Sequence, residues 1–239
     1  MQSNYHIALA GNPNTGKSSL FNLLTGLKQH TGNWAGKTVD MKEGIFFHKN
    51  IQYSLIDLPG TYSLFSNSMD EEVARNYLVF EKPDITLVVV DATAIERNLN
   101  LVLQVLEITD KVIICINIID EAEKRGININ EQLLMRRLGV PVIKVSARNK
   151  LGIAKLLDTI DRLVSGAITC NPPILRYDEE TEQKISKLEQ EIIEVFAEEV
   201  PARWIALRLL DGDVKLMVEV KNRLVAERGR IRNESSKYG

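Results

Sequence analysis

The sequence predicts an α/β fold: a mostly parallel six-stranded sheet with helices on both faces, followed by a small all-helical domain. Three observations lead there. Short β-branched apolar runs recur at residues 6–10, 51–56, 85–90, 112–116 and 142–145, each bounded by turn or charged residues. Stretches with helical spacing lie between or after them, at 17–27, 69–81, 97–109, 130–138 and 153–163. Strand–helix alternation of this kind implies parallel strands covered on both sides. Finally, Asn171-Pro172-Pro173 ends the pattern, because the two prolines disfavour helix and mark a linker.

Each element has a local reason. Residues 39–48 form a sixth extended stretch that runs into 51–56 through His48-Lys49-Asn50, which predicts an antiparallel hairpin. After the linker, residues 178–199 are charged but carry Ile185, Leu188, Ile192, Ile193 and Phe196 at helical spacing. Pro201 starts a second helix, and Asp213 is placed to cap a third. The domain boundaries read from this pattern are 1–168 and 172–239.

Bulk properties narrow the function. Hydrophobic residues make up 44% and charged residues 26% of the 239, an ordinary globular mixture. The net charge of −2 gives no basic bias, so nucleic acid is not an expected partner. The two cysteines, Cys115 in an apolar run and Cys170 in a polar linker, make no disulfide framework and lie in no metal-ligand pattern. The N-terminus does not read as a secretory leader, and no run approaches the roughly 20 apolar residues that span a bilayer. A soluble cytosolic chain, or a cytosolic piece of something larger, is expected.

The chemistry lies in four motifs. Gly11-Asn12-Pro13-Asn14-Thr15-Gly16-Lys17-Ser18 fits G-x-x-x-x-G-K-[ST] between a predicted strand and a predicted helix, the context that gives the motif its meaning. Its glycines allow close backbone approach, its N–H groups aim at phosphate oxygens, and the helix N-terminus adds positive potential. Gly11, Asn12, Asn14, Thr15, Gly16, Lys17, Ser18 and Ser19 are therefore the expected nucleotide contacts. Lys17 is expected at the β- and γ-phosphates and the Ser18 hydroxyl on Mg2+. Asp57-Leu58-Pro59-Gly60 ends the run 51–56. Alone it is weak, since an Asp-Gly turn is commoner; about 40 residues after a phosphate loop it is expected to place Asp57 on Mg2+ through water and the Gly60 N–H at the γ-phosphate. Asn117-Ile118-Ile119-Asp120 follows the run 112–116. Asp120 can accept from guanine N1–H and the exocyclic amine, a donor pair adenine lacks; its bland reading is a helix cap. Asn117 would brace the loop, and Ser146-Ala147-Arg148 would offer backbone N–H to the guanine O6.

These elements, in this order, resemble the Ras-like translation-factor class of GTPases. Thr38 then matches the threonine of the first switch that closes on Mg2+ and the γ-phosphate. The resemblance tightens at Gly32-Asn33-Trp34-Ala35-Gly36-Lys37-Thr38-Val39, Asp57-Leu58-Pro59-Gly60-Thr61-Tyr62-Ser63-Leu64, Asp91-Ala92-Thr93 and Glu96-Arg97-Asn98-Leu99. These are similar to the N-terminal cytosolic part of bacterial ferrous iron transport protein B. The likeness runs over nearly the whole chain, including Arg203-Trp204 and Leu209-Leu210-Asp211-Gly212-Asp213.

The resemblance implies a Ras-like P-loop G domain and a helical spacer likened to a guanine-nucleotide-dissociation inhibitor. Its implied partners are GTP and GDP, the membrane domain of the same polypeptide, and further copies in a homo-oligomer. The implied location is the cytoplasmic face of the bacterial inner membrane, which Arg228, Arg230, Arg232 and Lys237 would suit. Lys17, Thr38 and Gly60 are the implied catalytic groups, with Mg2+ held by Ser18, Thr38 and Asp57. Thr61 stands where a water-orienting glutamine is usual, so turnover is expected to be slow. Asn14 matches an asparagine that helps bind K+ in related potassium-activated GTPases, with backbone carbonyls near Asn33 and Trp34 completing the site. Two other readings share the motifs: a nucleotide-gated switch with incidental turnover, and a ribosome-assembly GTPase.

Overall fold

The computed structural model describes residues 4–26, 29–33, 40–65, 68–196 and 200–235. Contacts divide the chain into units of residues 1–174 and 175–239.

The first unit is built on a seven-stranded sheet in the order β2-β3-β4-β1-β5-β6-β7. Its strands are β1 (Asn4–Gly11), β2 (Gln29–Asn33), β3 (Asp40–His48), β4 (Ile51–Asp57), β5 (Ile85–Asp91), β6 (Val112–Asn117) and β7 (Val142–Lys144). β4, β1, β5, β6 and β7 run parallel. β3 is antiparallel to β4 and β2 to β3. The six expected strands are present and β2 is an addition. Gln-His-Thr-Gly-Asn carries no apolar periodicity, so an edge strand of this composition leaves no pattern to read. The β3–β4 hairpin turns on Lys49 and Asn50, whose φ values of 46° and 65° match a two-residue turn that follows the sheet twist.

Alternate residues of the central strands face opposite ways. Ile7, Leu9, Leu87, Val89, Ile113 and Cys115 pack with Leu20 and Phe21 of α1 (Lys17–Thr25) and Leu156 and Ile160 of α6 (Ile153–Val164). Ala8, Val88, Val90, Ile114 and Ile116 are buried on the other face. There α3 (Ile95–Ile108) contributes buried Leu101, Val102 and Val105. Burial pushes the Cys115 thiol up to about 12, so it stays protonated and behaves as a core residue.

Helix boundaries follow local chemistry. α2 (Met69–Asn76) starts at Ser68, whose hydroxyl accepts the Glu71 N–H at 3.2 Å. The expected helix over 69–81 is not uniform, because Tyr77–Glu81 is a wider π turn with Tyr77, Leu78 and Val79 all buried. α4 (Ile119–Lys124) follows β6 directly, and α5 (Glu131–Leu138) is capped by Asn130 and closed by Gly139.

The second unit holds α7 (Glu179–Phe196), α8 (Ala202–Leu210) and α9 (Val214–Ser235). Ile185, Ile192, Trp204, Ile205 and Leu216 are buried. Asp213 Oδ1 accepts the Leu216 N–H at 2.9 Å, the capping role its sequence position suggested. The Arg203 guanidinium donates to Glu182 at 3.0 and 2.8 Å and to the Leu175 carbonyl at 3.0 Å, joining α8 to α7 and to the segment before it. Among the described residues no helix is long and apolar enough to cross a membrane.

Two predictions follow from this packing. At Gly44 of β3, an added Cβ would lie 2.5 Å from Thr25 Cγ2 and 3.1 Å from Phe21 Cζ, both on α1. Gly44→Ala is expected to destabilise the protein by about 1–3 kcal/mol, read by urea denaturation. In the helical unit, Arg203 holds the Glu182 carboxyl down to about 2. A carboxyl depressed on folding stabilises fully above its unfolded value of about 4.3, and loses that contribution as pH falls through the folded value. Acid melts should show the unit weakening between those limits, and Glu182→Gln should flatten that slope.

Candidate nucleotide-binding site

The site sits where the carboxyl ends of parallel strands meet. β1 is flanked by β4 on one side and β5 on the other, the point at which an open sheet of this kind leaves a crevice. Register pairs Leu9 with Asp57, Gly11 with Val89, and Asp91 with Asn117, so the loops after four strands open on one edge.

The phosphate loop leaves β1 at Gly11. A Cβ there would lie 2.6 Å from the Val89 carbonyl, so only glycine allows the chain to run this close to β5. Asn14 has φ 66°, a left-handed conformation that asparagine tolerates. Gly16 has φ 80°, and a Cβ on it would meet Asn117 Nδ2 at 2.3 Å. Thr15 is buried and its hydroxyl donates to the Asn12 carbonyl at 2.9 Å. Asn12 is also buried. Thr15 and Asn12 therefore turn their side chains into the protein, and what this part of the loop offers a phosphate is backbone. Ser18 and Ser19 are exposed in the first turn of α1.

Lys17 is buried at the base of the loop. Its ammonium pairs with Asp57 Oδ1 and donates to the Leu58 carbonyl at 2.5 Å. The expected phosphate ligand and the expected Mg2+ ligand thus touch each other. Beyond them, the Leu58 N–H donates to Leu9 O at 3.1 Å and the Thr61 N–H to Gly11 O at 3.3 Å, laying this segment along the phosphate loop. Gly60 stands over Pro13. Thr61 is only 4% exposed.

The base side is held by Asn117. Its Nδ2 donates to Thr15 O at 2.9 Å and its Oδ1 accepts the Ala147 N–H at 3.0 Å. The Ala147 N–H is spent on Asn117, and the Ser146 N–H on the Leu151 carbonyl at 3.1 Å. Two of the three N–H groups expected at the guanine O6 are thus engaged within the protein in this arrangement. A cavity of about 380 Å3 opens here, lined by Asn14, Gly16, Ser19, Asn117, Asp120, Ser146 and Ala147 among others. Hydrogen bonding with Ser146, aided by the positive charges of Lys124 and Arg148, holds the Asp120 carboxyl below the usual carboxylate range. Asp120 is then an acceptor only at neutral pH. Asn149 Nδ2 donates to its Oδ2 at 2.9 Å.

Some residues that shape the site left little trace in the sequence. Asn149 orients Asp120, but its only signal was a turn composition after Arg148. Ile118 lines the same cavity at φ 63°, a rare conformation for a β-branched residue. Gln104 accepts the Leu64 N–H at 2.7 Å, and Arg97 donates to Tyr62 Oη at 3.0 Å while its guanidinium lies 4.9 Å from the ring centroid. These two α3 residues hold the segment after Gly60, and only Arg97 stood in a quoted motif. Thr38 and Trp34 lie outside the described residues, as does the side chain of Asn33.

The model of ferrous iron transport protein B matches residues 5–160, and the model of the FeoB cytosolic helical domain matches 177–237. The chain belongs to the ferrous iron transport protein B family. Fe(2+) transporter FeoB of Shigella flexneri and that of Escherichia coli strain K12 are each 40% identical to it over 238 residues. Those matches cover 95% of this chain but 30% of each relative, so the chain spans about a third of the length of the curated relatives it matches. Among solved structures, the cytosolic domain of T. maritima FeoB in GDP form I is similar with a TM-score of 0.83 at 40% identity, covering 92% of this chain and 85% of that one. The GMPPNP form of that domain gives a TM-score of 0.81 at 37% identity, covering 97% and 96%. The chain thus carries a region matching the N-terminal FeoB model followed by the FeoB cytosolic helical domain.

The bracing role of Asn117 can be measured directly. Asn117→Ala strands one buried acceptor and one buried donor, and should destabilise the nucleotide-free protein by about 2–4 kcal/mol in chemical denaturation.

Proposed function

We propose that this chain binds and hydrolyses GTP as the regulatory N-terminal part of a ferrous iron transporter, with Mg2+ required and K+ stimulating. The observation that carries the nucleotide assignment is Asp120, an ionised acceptor in the wall of the cavity that also reaches Asn14, Gly16 and Ser19. Guanine N1–H and its exocyclic amine complement that carboxylate, whereas adenine would leave it unpaired. The GDP and GMPPNP forms of the T. maritima FeoB domain support the same reading.

Binding requires Lys17 to exchange Asp57 and the Leu58 carbonyl for phosphate oxygens. The loop N–H groups and the helix N-terminus add preorganised positive potential where phosphoryl transfer spreads negative charge. Ser18, Asp57 and Thr38 would hold Mg2+; a hydroxyl and a carboxylate from adjacent elements are the hard oxygen donors that ion takes. When bound it neutralises charge on the phosphates. The Gly60 N–H faces the γ-phosphate side of the loop in this scheme. Thr61 is buried and short, so placing the attacking water falls to backbone groups. Asn14, exposed at the left-handed turn of the loop, would supply a side-chain oxygen to K+.

The relatives' greater length supports a further membrane domain in the same polypeptide, with this part at the cytoplasmic face of the bacterial inner membrane. The domain division proposed is a nucleotide-binding 1–168 and a helical spacer 172–239, with homo-oligomers formed by the full-length protein. A second reading, a nucleotide-gated switch with incidental turnover, draws on the buried Thr61. Family membership removes the support for a ribosome-assembly role.

Phosphate release with GTP and ATP, in KCl and in NaCl, tests the proposal. ATP should be turned over at least about a hundredfold more slowly than GTP. KCl should raise GTP turnover about tenfold over NaCl, and Asn14→Ala should lose that response. Equal rates in the two salts would remove the K+ site. Tight GTP binding without phosphate release would favour the switch.

A further inference from the structure

Asn12, second in the phosphate loop, is 1% exposed. Among the described residues neither its amide nitrogen nor its amide oxygen has a hydrogen-bond partner. A carboxamide carries two donors and an acceptor with two lone pairs, and burying them unpaired is costly. The surrounding polar groups are engaged. Thr15 bonds the carbonyl of Asn12 itself, Asn117 bonds two loops, and Lys17 pairs with Asp57. The unpaired amide is therefore not a sign of a loosely packed loop. An unsatisfied buried group in an otherwise satisfied cluster points to a partner gained in another arrangement.

The neighbourhood limits what that partner can be. Gly11 pairs with Val89, the last pair of that ladder, so Asn12 lies just past its end. On the other side of β1 runs the segment from Leu58 to Thr61, tied to the loop through Leu9 O and Gly11 O. Beyond Thr61 this segment is held by Arg97 on Tyr62 and Gln104 on Leu64. Tyr62 is 47% exposed, so its tie to Arg97 can open without disturbing the core. The backbone laid along the loop on that side is Gly60–Ser63, where the Thr61 N–H is spent on Gly11 O and Gly60 lies against Pro13.

We propose that Asn12 is a positioning residue for GTP hydrolysis, an inference that rests on the GTPase reading above. Its carboxamide pairs with the backbone of Gly60–Ser63 when that segment is drawn towards the nucleotide, and so holds the Gly60 peptide where it orients the attacking water. The side chain of Asn12, buried in the protein, is not the part of the residue that meets the nucleotide. It supplies, through the backbone, the ordering that a glutamine at position 61 would supply directly. The unpaired amide raises the energy of the arrangement described here, and the paired amide lowers that of the engaged one. Both effects shift the population in the same direction.

This role separates from that of a structural brace. Asn12→Ala and Asn12→Ser are compared with the unaltered chain by melting of the nucleotide-free protein, affinity for fluorescent GDP and a non-hydrolysable GTP analogue, and steady-state kcat and KM. The melting temperature of nucleotide-free Asn12→Ala is expected to equal or exceed that of the unaltered chain. Its GDP affinity should change by less than about twofold, while kcat falls about tenfold and KM moves by less than about threefold. Asn12→Ser, which keeps a small polar group, should fall between. A kcat within about twofold of the unaltered chain in both variants overturns the inference and leaves the GTPase reading intact. So does a lowered melting temperature with equal losses of GDP and analogue binding, the mark of a brace. An unaltered chain that binds GTP but releases no phosphate overturns the GTPase reading and this inference together.

Discussion

Asn117 donates to the Thr15 carbonyl and accepts from the Ala147 N–H, so one buried carboxamide ties the phosphate loop to the loop after β7. Its position explains several constraints around it. Gly16 must be glycine because a Cβ would occupy the space of Asn117 Nδ2, and its left-handed φ starts α1 at the right angle. Ile118 is forced to positive φ immediately after it, and α4 then begins with Asp120 in its first turn. Strain of this kind, of order 1–3 kcal/mol, persists only where the surroundings over-determine the backbone. Here the surroundings are three loops drawn together by one side chain.

The phosphate side obeys a different logic. Lys17 and Asp57 come from adjacent strand ends and meet as a buried ion pair beside Leu58 O. Such a pair satisfies both charges but adds little net stability once desolvation is counted. Its consequence is that the two groups proposed to meet the nucleotide and its metal ion are held side by side, so that in the proposed scheme binding exchanges one set of charge-assisted contacts for another. The segment after Asp57 is similarly poised. It is fastened by one hydrogen bond to Gly11 O, by two to Gln104 from Ser63 and Leu64, and by the surface contact of Tyr62 with Arg97. These are modest interactions, of the order at which a ligand with several phosphate charges can compete.

The helical unit reached its form by more local rules. α7 buries Ile185 and Ile192 at helical spacing, Asp213 caps α9, and the Arg203–Glu182 fork fixes α8 to α7. Most of that was readable, since helix periodicity and caps are encoded within a few residues. The parallel strands were equally readable, because burial on both faces demands continuous apolar runs. The edge strand β2 was not, because Gln29–Asn33 has backbone pairing on one side and no apolar face to betray it. The π turn at Tyr77–Glu81 was read as plain helix, since its apolar residues satisfy either winding.

By itself the sequence carried the motifs from which the chemistry of the site is proposed, and the family to which the chain belongs. The phosphate loop, the carboxylate at 57, the acceptor at 120 and the threonine at 61 are local motifs whose expected chemistry is read from residue type and local backbone. The tertiary structure alone decided which of those groups are spent on the protein. It committed the Ala147 N–H to Asn117, Lys17 to Asp57 and Thr61 to the interior, and it left the Asn12 amide buried without a partner among the described residues. The reason is range. Asn117 and Thr15 are 102 residues apart and Lys17 and Asp57 are 40 apart, and no pattern confined to a few neighbours can encode a partner that only the folded sheet brings within reach.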